Sequence, residues 1–333
     1  MEKPPLEFDL IAQIWEPLTR GAAGAFGLKD DVAQLPTSIV GPVVTCDQVI
    51  EGTHFLPTDG LDWVAKRLVR RNVSDLIAKG CQTIGAFLTL AWPKGRSQAQ
   101  LAAFATGLGD DLVALCGSCP LLGGDTSSIH GPLVASLTLI GAPLAPSGLP
   151  ILRRGTRAGD LIFLTGTIGD PYLGLQVRLG HLGSQGLENA IKIALAPAPP
   201  PLATAKLIAS YAHASIDISD GLLADAGHIA DASGLSLVLD LDQVPISAEA
   251  TTWLAQYGDR LEGLLRLVTG GDDYQSLICV GPEQAEALVR DYQALGVALT
   301  QIGVCQTGSG LSLRYQGQNV PVPSRRGWQF SDA

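Results

Sequence analysis

Residues 141–154, GAPLAPSGLPILRR, form the clearest interruption in the sequence, because they are rich in proline and glycine and show no hydrophobic periodicity. A segment of this kind is typical of a connection between folded units. The chain has 333 residues, which is more than one ordinary hydrophobic core supports. We therefore predict two domains, residues 1–145 and 146–333, with the boundary near residue 145.

Helical and strand-like patterns alternate along the chain on both sides of this connection. Apolar side chains recur near helical spacing over residues 63–79 and 98–115. Short apolar runs bounded by glycine or proline predict strands that are buried on at least one face. These runs are Ile39–Thr45, Thr83–Ala91, Leu133–Ile140 and Leu161–Thr165. The predicted fold class is therefore α/β (α+β), with two mixed α/β domains.

The charge and cysteine content argue against several classes of protein. Acidic residues outnumber basic ones by 32 to 22, and a net charge of -10 repels nucleic acids and anionic membranes. The first residues resemble no secretory signal, and no apolar run approaches the roughly 20 residues that span a bilayer. We expect no nucleic acid or membrane partner, a cytoplasmic location, and reduced thiols at the six scattered cysteines.

Aspartates recur where apolar runs give way to small or hydroxylated residues. Asp47 follows VVTC, Asp125 follows LLGG, and the segments SIDISD and LVTGGDD carry further acids. Any one of these aspartates could simply cap a helix or a turn. Capping does not explain the Gly-Gly pairs before Asp125 and Asp272, which favour a close approach of the backbone to a ligand.

Converging carboxylates need cations, because two unit charges about 4 Å apart repel by roughly 4 kcal/mol at an effective dielectric constant near 20. Oxygen ligands without grouped histidine or cysteine select hard ions such as Mg²⁺, which also binds phosphates. The sequence has no GxxxxGK[ST] phosphate loop, and GLGDDL at residues 107–112 is a poor match to GxGxxG. We predict that the acids hold several Mg²⁺ ions, which neutralise the phosphates of a nucleotide.

A series of motifs runs along the chain in the order EFDLIAQI, KDDVA, TCDQVIEGTHF, RRNVSDLIAKG, GGDTS, RRGTRAGDLIFLTGTIGD, SIDISDGLLADAGHI, TGGDDY and RGWQF. In this order they resemble the thiamine-monophosphate kinase family of the aminoimidazole-ribonucleotide-synthetase-like superfamily, over essentially the whole chain. The resemblance implies an N-terminal dimerising domain that binds ATP and Mg²⁺, a C-terminal domain that completes the nucleotide and substrate site, and a homodimer. It also implies that ATP phosphorylates thiamine monophosphate to thiamine diphosphate by direct in-line transfer.

The resemblance also implies roles for individual residues. The positions that match metal ligands are Asp31, Thr45, Cys46, Asp47, Asp75, Asp125, Asp217 and Asp220. The positions that match ATP contacts are Gly124, Asp125, Arg153 and Ser219, and those that match substrate contacts are His54, Asp272 and Trp328. We expect Trp328 to stack on a substrate ring, His54 to donate to the acceptor phosphate and Asp272 to face the thiazolium. No general base is assigned, because the acceptor phosphate, with a second pKa of about 6, is already a nucleophile.

Three positions depart from the family pattern. Lys29 stands where the family has glycine, Cys46 where it has a hydroxyl residue, and Asp272 where it has glutamate. Two alternatives stay open. One is a sibling enzyme that resembles selenophosphate synthetase or aminoimidazole ribonucleotide synthetase, and the other is a nucleotide-binding protein without catalysis.

Overall fold

The structure, a computed structural model, describes residues 10–28, 33–36, 38–39 and 41–328. The chain divides into two units, Met1–Val73 with Gln82–Pro143, and Ser74–Cys81 with Leu144–Ala333. Residues 74–81 thus belong to the second unit, although the predicted boundary near residue 145 assigns them to the first domain. The backbone explains this difference, because Ile151 and Leu144 donate their N–H groups to the carbonyl oxygens of Lys79 and Gly80 at 3.0 and 2.9 Å.

The first unit contains a four-stranded sheet in the order β1-β4-β2-β3. Strand β1 pairs antiparallel with β4, and β2 pairs parallel with β3, so β1 and β3 are the two edge strands. The predicted run Ile39–Thr45 is displaced, because the alternating pattern continues through Asp47 and β1 pairs with β4 as far as Ile50. The strands are β1 (Val43–Ile50), β2 (Cys81–Pro93), β3 (Leu121–Ile129) and β4 (Val134–Pro143).

Two long helices lie close to their predicted ranges. Helix α1 spans Leu61–Ala78, and its apolar side chains Leu68, Val73 and Leu76 are buried. Helix α2 spans Gln98–Ala114 and begins with a capping box, in which Ser97 accepts from the Gln100 N–H and the Gln100 side chain accepts from the Ser97 N–H. Shorter helical turns precede β1 at Ile11–Trp15, Glu16–Thr19 and Ala23–Leu28.

The second unit contains a seven-stranded mixed sheet in the order β11-β10-β7-β9-β5-β8-β6. Strands β7 and β10 are parallel, and the other pairings are antiparallel. The predicted run Leu161–Thr165 is confirmed as β5. The remaining strands are β6 (Ala212–Asp217), β7 (Ser236–Asp240), β8 (Ser276–Val280), β9 (Leu299–Gln306), β10 (Gly310–Tyr315) and β11 (Gln318–Val320).

Helices of the second unit bury their apolar sides and connect these strands. One apolar core joins Ile162 of β5, Ile216 of β6 and Leu223 of the helix that follows β6. The helices are α3 (Asp170–Arg178), α4 (Glu188–Leu195), α5 (Thr204–Tyr211), α6 (Leu222–Ser233), α7 (Ala248–Gln256), α8 (Arg260–Val268) and α9 (Ala285–Ala294), with turns at Leu241–Gln243 and Pro282–Gln284. Within the described part of the chain, no helix is long and apolar enough to cross a membrane.

Candidate active site

Asp47 lies in the middle of β1, not at its end, and shares one face of the strand with Thr45. Its backbone N–H donates to Asn72 Oδ1 at 3.0 Å, and the Asn72 amide in turn donates to the Leu68 carbonyl oxygen at 2.9 Å. A guanidinium nitrogen of Arg71 lies 3.9 Å from Asp47 Oδ1. The Asp47 carboxylate is partly exposed and lies beside the Arg71 guanidinium. The hydrogen bond to Asn72 ties its strand to helix α1.

Cys46 is exposed on the opposite face of β1, because successive side chains of a strand point in opposite directions. Its Sγ lies 3.3 Å from Thr138 Oγ1 and 3.6 Å from Ser136 Oγ, both on the neighbouring strand β4. The Cys46 side chain therefore does not join Asp47, and only its backbone could contribute to a site there.

Asp125 lies within β3, at the other edge of the sheet from β1. It is exposed, and its Oδ2 accepts a hydrogen bond from Ser127 Oγ at 3.1 Å. Strands β4 and β2 separate it from Asp47, so the order of strands does not make these two acids neighbours. Gly124 is required by packing, since a Cβ there would lie 1.9 Å from the Leu88 carbonyl oxygen of β2.

His54 follows β1 in a turn that fixes its imidazole ring. The Ile50 N–H donates to His54 Nδ1 at 3.0 Å, and the His54 N–H donates to the Ile50 carbonyl oxygen at 2.8 Å. Because Nδ1 accepts a hydrogen bond, the ring proton of neutral His54 belongs on Nε2. The ring therefore presents an N–H donor at Nε2.

In the second unit, Asp217 ends β6 and is buried, with 5% of its surface exposed. Its Oδ2 accepts a hydrogen bond of 2.5 Å from the hydroxyl of Ser74. The Lys79 ammonium donates to the Ser215 carbonyl oxygen at 2.5 Å. Burial lowers the pKa of Lys79 to about 8, although the charges of Asp217 and Asp75 oppose this shift and that of Arg153 adds to it. Asp217, Asp75 and Arg153 thus act on the same ammonium group.

Asp225 of helix α6 holds the loop after β6. Its Oδ2 accepts from the backbone N–H groups of Ser219, Asp220 and Gly221 at 3.0, 3.1 and 3.2 Å. Burial raises the pKa of Asp225 well above its usual range, and the negative charges of Asp217 and Asp220 raise it further. Asp217, Asp220 and Asp225 therefore lie close together at this loop and repel one another, and a bound cation would reduce this repulsion.

His228 lies one helical turn after Asp225 and faces the same loop. One ligand atom from each of Asp220, Asp225 and His228 lies within 4.8 Å of the other two. Sequence reasoning missed Asp225 and His228, because no helix was predicted there, and only helix α6 places residues three apart on one face. It also missed Lys79, whose burial is not visible in the local pattern.

Asp272 lies in a loop that is hydrogen-bonded to the loop after β6. Its N–H donates to the Ser219 carbonyl oxygen at 2.8 Å, and the Tyr274 N–H donates to the Ile218 carbonyl oxygen at 2.7 Å. The backbone of Asp272 has a φ of 63°, a left-handed conformation that is uncommon for residues other than glycine. The Tyr274 hydroxyl donates to Asp272 Oδ1 at 3.1 Å and so orients the carboxylate.

Trp328 is tied to the same loop from the C-terminal segment. Its N–H donates to the Asp220 carbonyl oxygen at 2.9 Å, and 47% of its surface is exposed. Gly327 permits this approach, since a Cβ there would lie 2.5 Å from the same oxygen. Four of the predicted positions, Ser219, Asp220, Asp272 and Trp328, are therefore held together by backbone hydrogen bonds.

Two positions from the sequence analysis lie outside the described residues. These are Asp31 of the KDDVA motif and Lys29, the residue that departs from the family pattern.

Comparison with known proteins gives one consistent family. The model for the N-terminal domain of AIR synthase related proteins matches residues 29–142, and the model for the C-terminal domain matches residues 157–316. A curated thiamine-monophosphate kinase from Caulobacter vibrioides is 42% identical over 98% of this chain and 91% of its own length. This similarity extends across both units.

Solved structures show the same relationship. The crystal structure of thiamine-monophosphate kinase from Stenotrophomonas maltophilia is similar with a TM-score of 0.80 and 30% identity, over 94% of this chain and 98% of that chain. The structure of AaThiL complexed with AMPPCP and TMP is similar with a TM-score of 0.74 and 28% identity, over 93% and 98% of the two chains. The fold of this chain, with two AIR synthase type domains, therefore matches that of structures in this family.

Proposed function

Because the chain belongs to the thiamine-monophosphate kinases of the AIR synthase related family, we propose that it phosphorylates thiamine monophosphate with ATP and forms thiamine diphosphate. One observation of the structure carries this proposal most directly. The loop after β6 is hydrogen-bonded both to the loop of Asp272 and to the backbone of Trp328. Ser219, which we assign to ATP, and Asp272 and Trp328, which we assign to thiamine monophosphate, thus lie beside one loop.

The acids of the second unit fit hard cations. Asp217 and Asp225 are buried, and the charges of Asp217 and Asp220 raise the pKa of Asp225. Oxygen donors under this mutual repulsion suit Mg²⁺. We assign Mg²⁺ to Asp75, Asp217 and Asp220 of this unit, to Thr45, Asp47 and Asp125 of the first unit, and to Asp31. When bound, the ions would neutralise the phosphates of ATP and of the acceptor.

The polar and aromatic side chains of the chain position the two substrates for direct in-line transfer. Arg153 is exposed and would pair its guanidinium with an ATP phosphate. The Nε2–H of His54 would donate to the acceptor phosphate. The ring of Trp328 would stack on thiamine, and Asp272, oriented by Tyr274, would face the cationic thiazolium. Catalysis would then rest on positioning and charge neutralisation.

We also propose a cytoplasmic homodimer formed through the first unit. The position of β1 at one edge of the sheet supports this assembly, since edge strands favour pairing with another chain. The outward face of β1 carries Val44, with 64% of its surface exposed, next to the exposed side chain of Cys46.

The decisive experiment incubates the purified protein with ATP, Mg²⁺ and thiamine monophosphate and measures thiamine diphosphate by chromatography. The proposal predicts product formation that requires Mg²⁺. ATP binding measured on the same sample separates the alternatives, because a nucleotide-binding protein without catalysis would bind ATP and form no product. Such a result would contradict the proposal.

A further inference from the structure

The ammonium group of Lys79 is a largely buried charge to which the proposed function gives no role. Lys79 follows helix α1 directly, and its ammonium donates to the Ser215 carbonyl oxygen of edge strand β6 at 2.5 Å. Within the described part of the chain, this is the one hydrogen bond of a group that has three N–H donors. A charge removed from water is unfavourable unless it is paired, so this contact alone does not explain why a lysine lies here.

Two acids that we assign to Mg²⁺ lie near this ammonium group. Asp75 precedes Lys79 by one helical turn, and the Lys79 backbone N–H donates to the Asp75 carbonyl oxygen at 3.0 Å. Side chains four residues apart lie on one side of a helix. Asp217 follows Ser215 by two residues on β6, so these two side chains point to the same face of the strand. The Lys79 ammonium therefore joins the end of helix α1 to the strand that carries Asp217.

Lys79 acts on these acids through its charge and not through direct contact. Among the described residues, its ammonium forms no ion pair, and the Asp217 carboxylate is held instead by the Ser74 hydroxyl, which donates to Oδ2 at 2.5 Å. Burial lowers the pKa of Lys79 to about 8, whereas the charges of Asp217 and Asp75 raise it and that of Arg153 lowers it. At pH 7 the group is thus mainly protonated, and its positive charge reaches both acids.

A fixed positive charge beside metal-binding acids has two effects. Before a metal ion binds, the charge offsets part of the repulsion between the carboxylates. When a divalent cation binds, the same charge repels it. By Coulomb's law, a unit charge about 7 Å from a divalent cation raises the dissociation constant of that cation several-fold, even at the dielectric constant of water. The second effect therefore changes a quantity that a binding experiment measures.

We propose that Lys79 determines the divalent-cation affinity of the second unit, because its ammonium weakens the binding of Mg²⁺ to Asp75 and Asp217. The inference rests on the proposed function, which assigns Mg²⁺ to these two acids. The ammonium raises the Mg²⁺ concentration at which this metal site fills. It also makes the two buried or partly buried carboxylates compatible with the folded protein before an ion binds.

The test measures the binding of Mn²⁺, a hard cation that suits the same oxygen ligands as Mg²⁺, by electron paramagnetic resonance of the free ion at pH 7. Lys79→Gln removes the charge and keeps an N–H donor for the Ser215 carbonyl oxygen, so the Kd for Mn²⁺ should fall at least about threefold. Lys79→Met also removes the donor and should give the same fall. Lys79→Arg keeps the charge, so its Kd should stay within about twofold of wild type.

Two further variants assign the effect to this metal site. Asp217→Asn, alone and combined with Lys79→Gln, should abolish the Mn²⁺ binding that Lys79→Gln strengthens. Lys206→Gln removes the same charge at an exposed position of helix α5 and should leave the Kd unchanged. An equal fall of the Kd in Lys206→Gln would show that net charge is responsible, and would contradict the inference.

The remaining outcomes also decide, and none of the binding measurements requires turnover. An unchanged or higher Kd in Lys79→Gln, or no Mn²⁺ binding that depends on Asp217, would overturn the inference and leave thiamine diphosphate formation by wild type unaffected. A Lys79→Gln protein that does not fold would overturn it as well, because the charge would then serve the fold. Tighter Mn²⁺ binding by Lys79→Gln, when wild type forms no product, would support the inference and contradict the proposed function.

Discussion

The two groups of acids are built differently in the two units. In the first unit, Asp47 and Asp125 lie within edge strands, where water can solvate their carboxylates. In the second unit, Asp217 and Asp225 are buried, with exposures of 5% and 1%, at the loop after β6. Without a cation, the acids of the first unit therefore destabilise the folded protein only slightly. Those of the second unit destabilise it more, because they are buried and repel one another. We expect the second group to dominate the requirement for a divalent cation.

The largest expected effect is that of Asp217→Asn. It should lower kcat for thiamine diphosphate formation by at least about 100-fold, because a buried carboxylate that would hold Mg²⁺ beside the transferred phosphoryl group is lost. Asp125→Asn, at an exposed position, should lower kcat by about tenfold and raise the Mg²⁺ concentration needed. Steady-state assays at several Mg²⁺ concentrations measure both effects, with Asp231→Asn as the control. Equal losses of kcat at the two positions would show that the two groups of acids contribute equally to the cation requirement.

The second prediction compares the stability contributed by two side chains, Asp225 and Asn72, that hold the backbone next to the acids of each unit. Asp225→Ala leaves three backbone N–H groups without their acceptor and should lower the free energy of unfolding by about 3 kcal/mol. Asn72→Ala removes one acceptor from the Asp47 N–H and one donor to the Leu68 carbonyl oxygen, and should cost about 1 kcal/mol. Urea unfolding measures both values. A larger loss for Asn72→Ala would reverse the ranking.

The third prediction contrasts two glycines that permit close contacts. Gly124→Ala should lower the free energy of unfolding by about 2 kcal/mol, because the new Cβ would collide with the Leu88 carbonyl oxygen inside a strand pair. Gly327→Ala should instead raise the KM for thiamine monophosphate, since the C-terminal segment can shift away from Asp220 and carry Trp328 with it. Gly183→Ala, with no neighbour within 4 Å, is the control for both measurements. The prediction fails if the two effects are exchanged.

The last prediction concerns the pH dependence that Lys79 gives to the stability of the second unit. Its pKa is lowered by burial to about 8, so the folded state binds fewer protons than the unfolded state between pH 8 and 10.5. The free energy of unfolding of wild type should therefore rise with pH across this window, by about 3 kcal/mol relative to Lys79→Met. Denaturant unfolding at pH 7, 8, 9 and 10 checks the sign. A decrease across the window would show that the ammonium is stabilised, not penalised, beside Asp217.

The sequence predicted those helices and strands in which apolar residues recur at one regular spacing or form one unbroken run. Helices α1 and α2 and strand β5 agree closely with their predicted ranges, because apolar residues alone mark their buried sides. Strand β1 was displaced in the prediction, because its second half alternates Asp47 with exposed Cys46 and Gln48 and so lacks an apolar run. An edge strand with one solvated face tolerates such polar residues.

The site was less predictable, because its geometry depends on contacts between distant parts of the chain. The motifs identified Ser219, Asp272 and Trp328 separately, but the hydrogen bonds that join their loops cannot be derived from spacing. The interpretation of Gly124 as a ligand contact missed its packing role, since the Leu88 carbonyl oxygen comes from another strand.

The most direct test of the central claim is ³¹P NMR of one sample that contains the protein, ATP, Mg²⁺ and thiamine monophosphate. The account predicts that the signal of thiamine monophosphate decreases while the two coupled signals of thiamine diphosphate and those of ADP appear, and that nothing changes when Mg²⁺ is omitted. Conversion of ATP to ADP and inorganic phosphate with thiamine monophosphate unchanged, or no reaction although ATP binds, would contradict it.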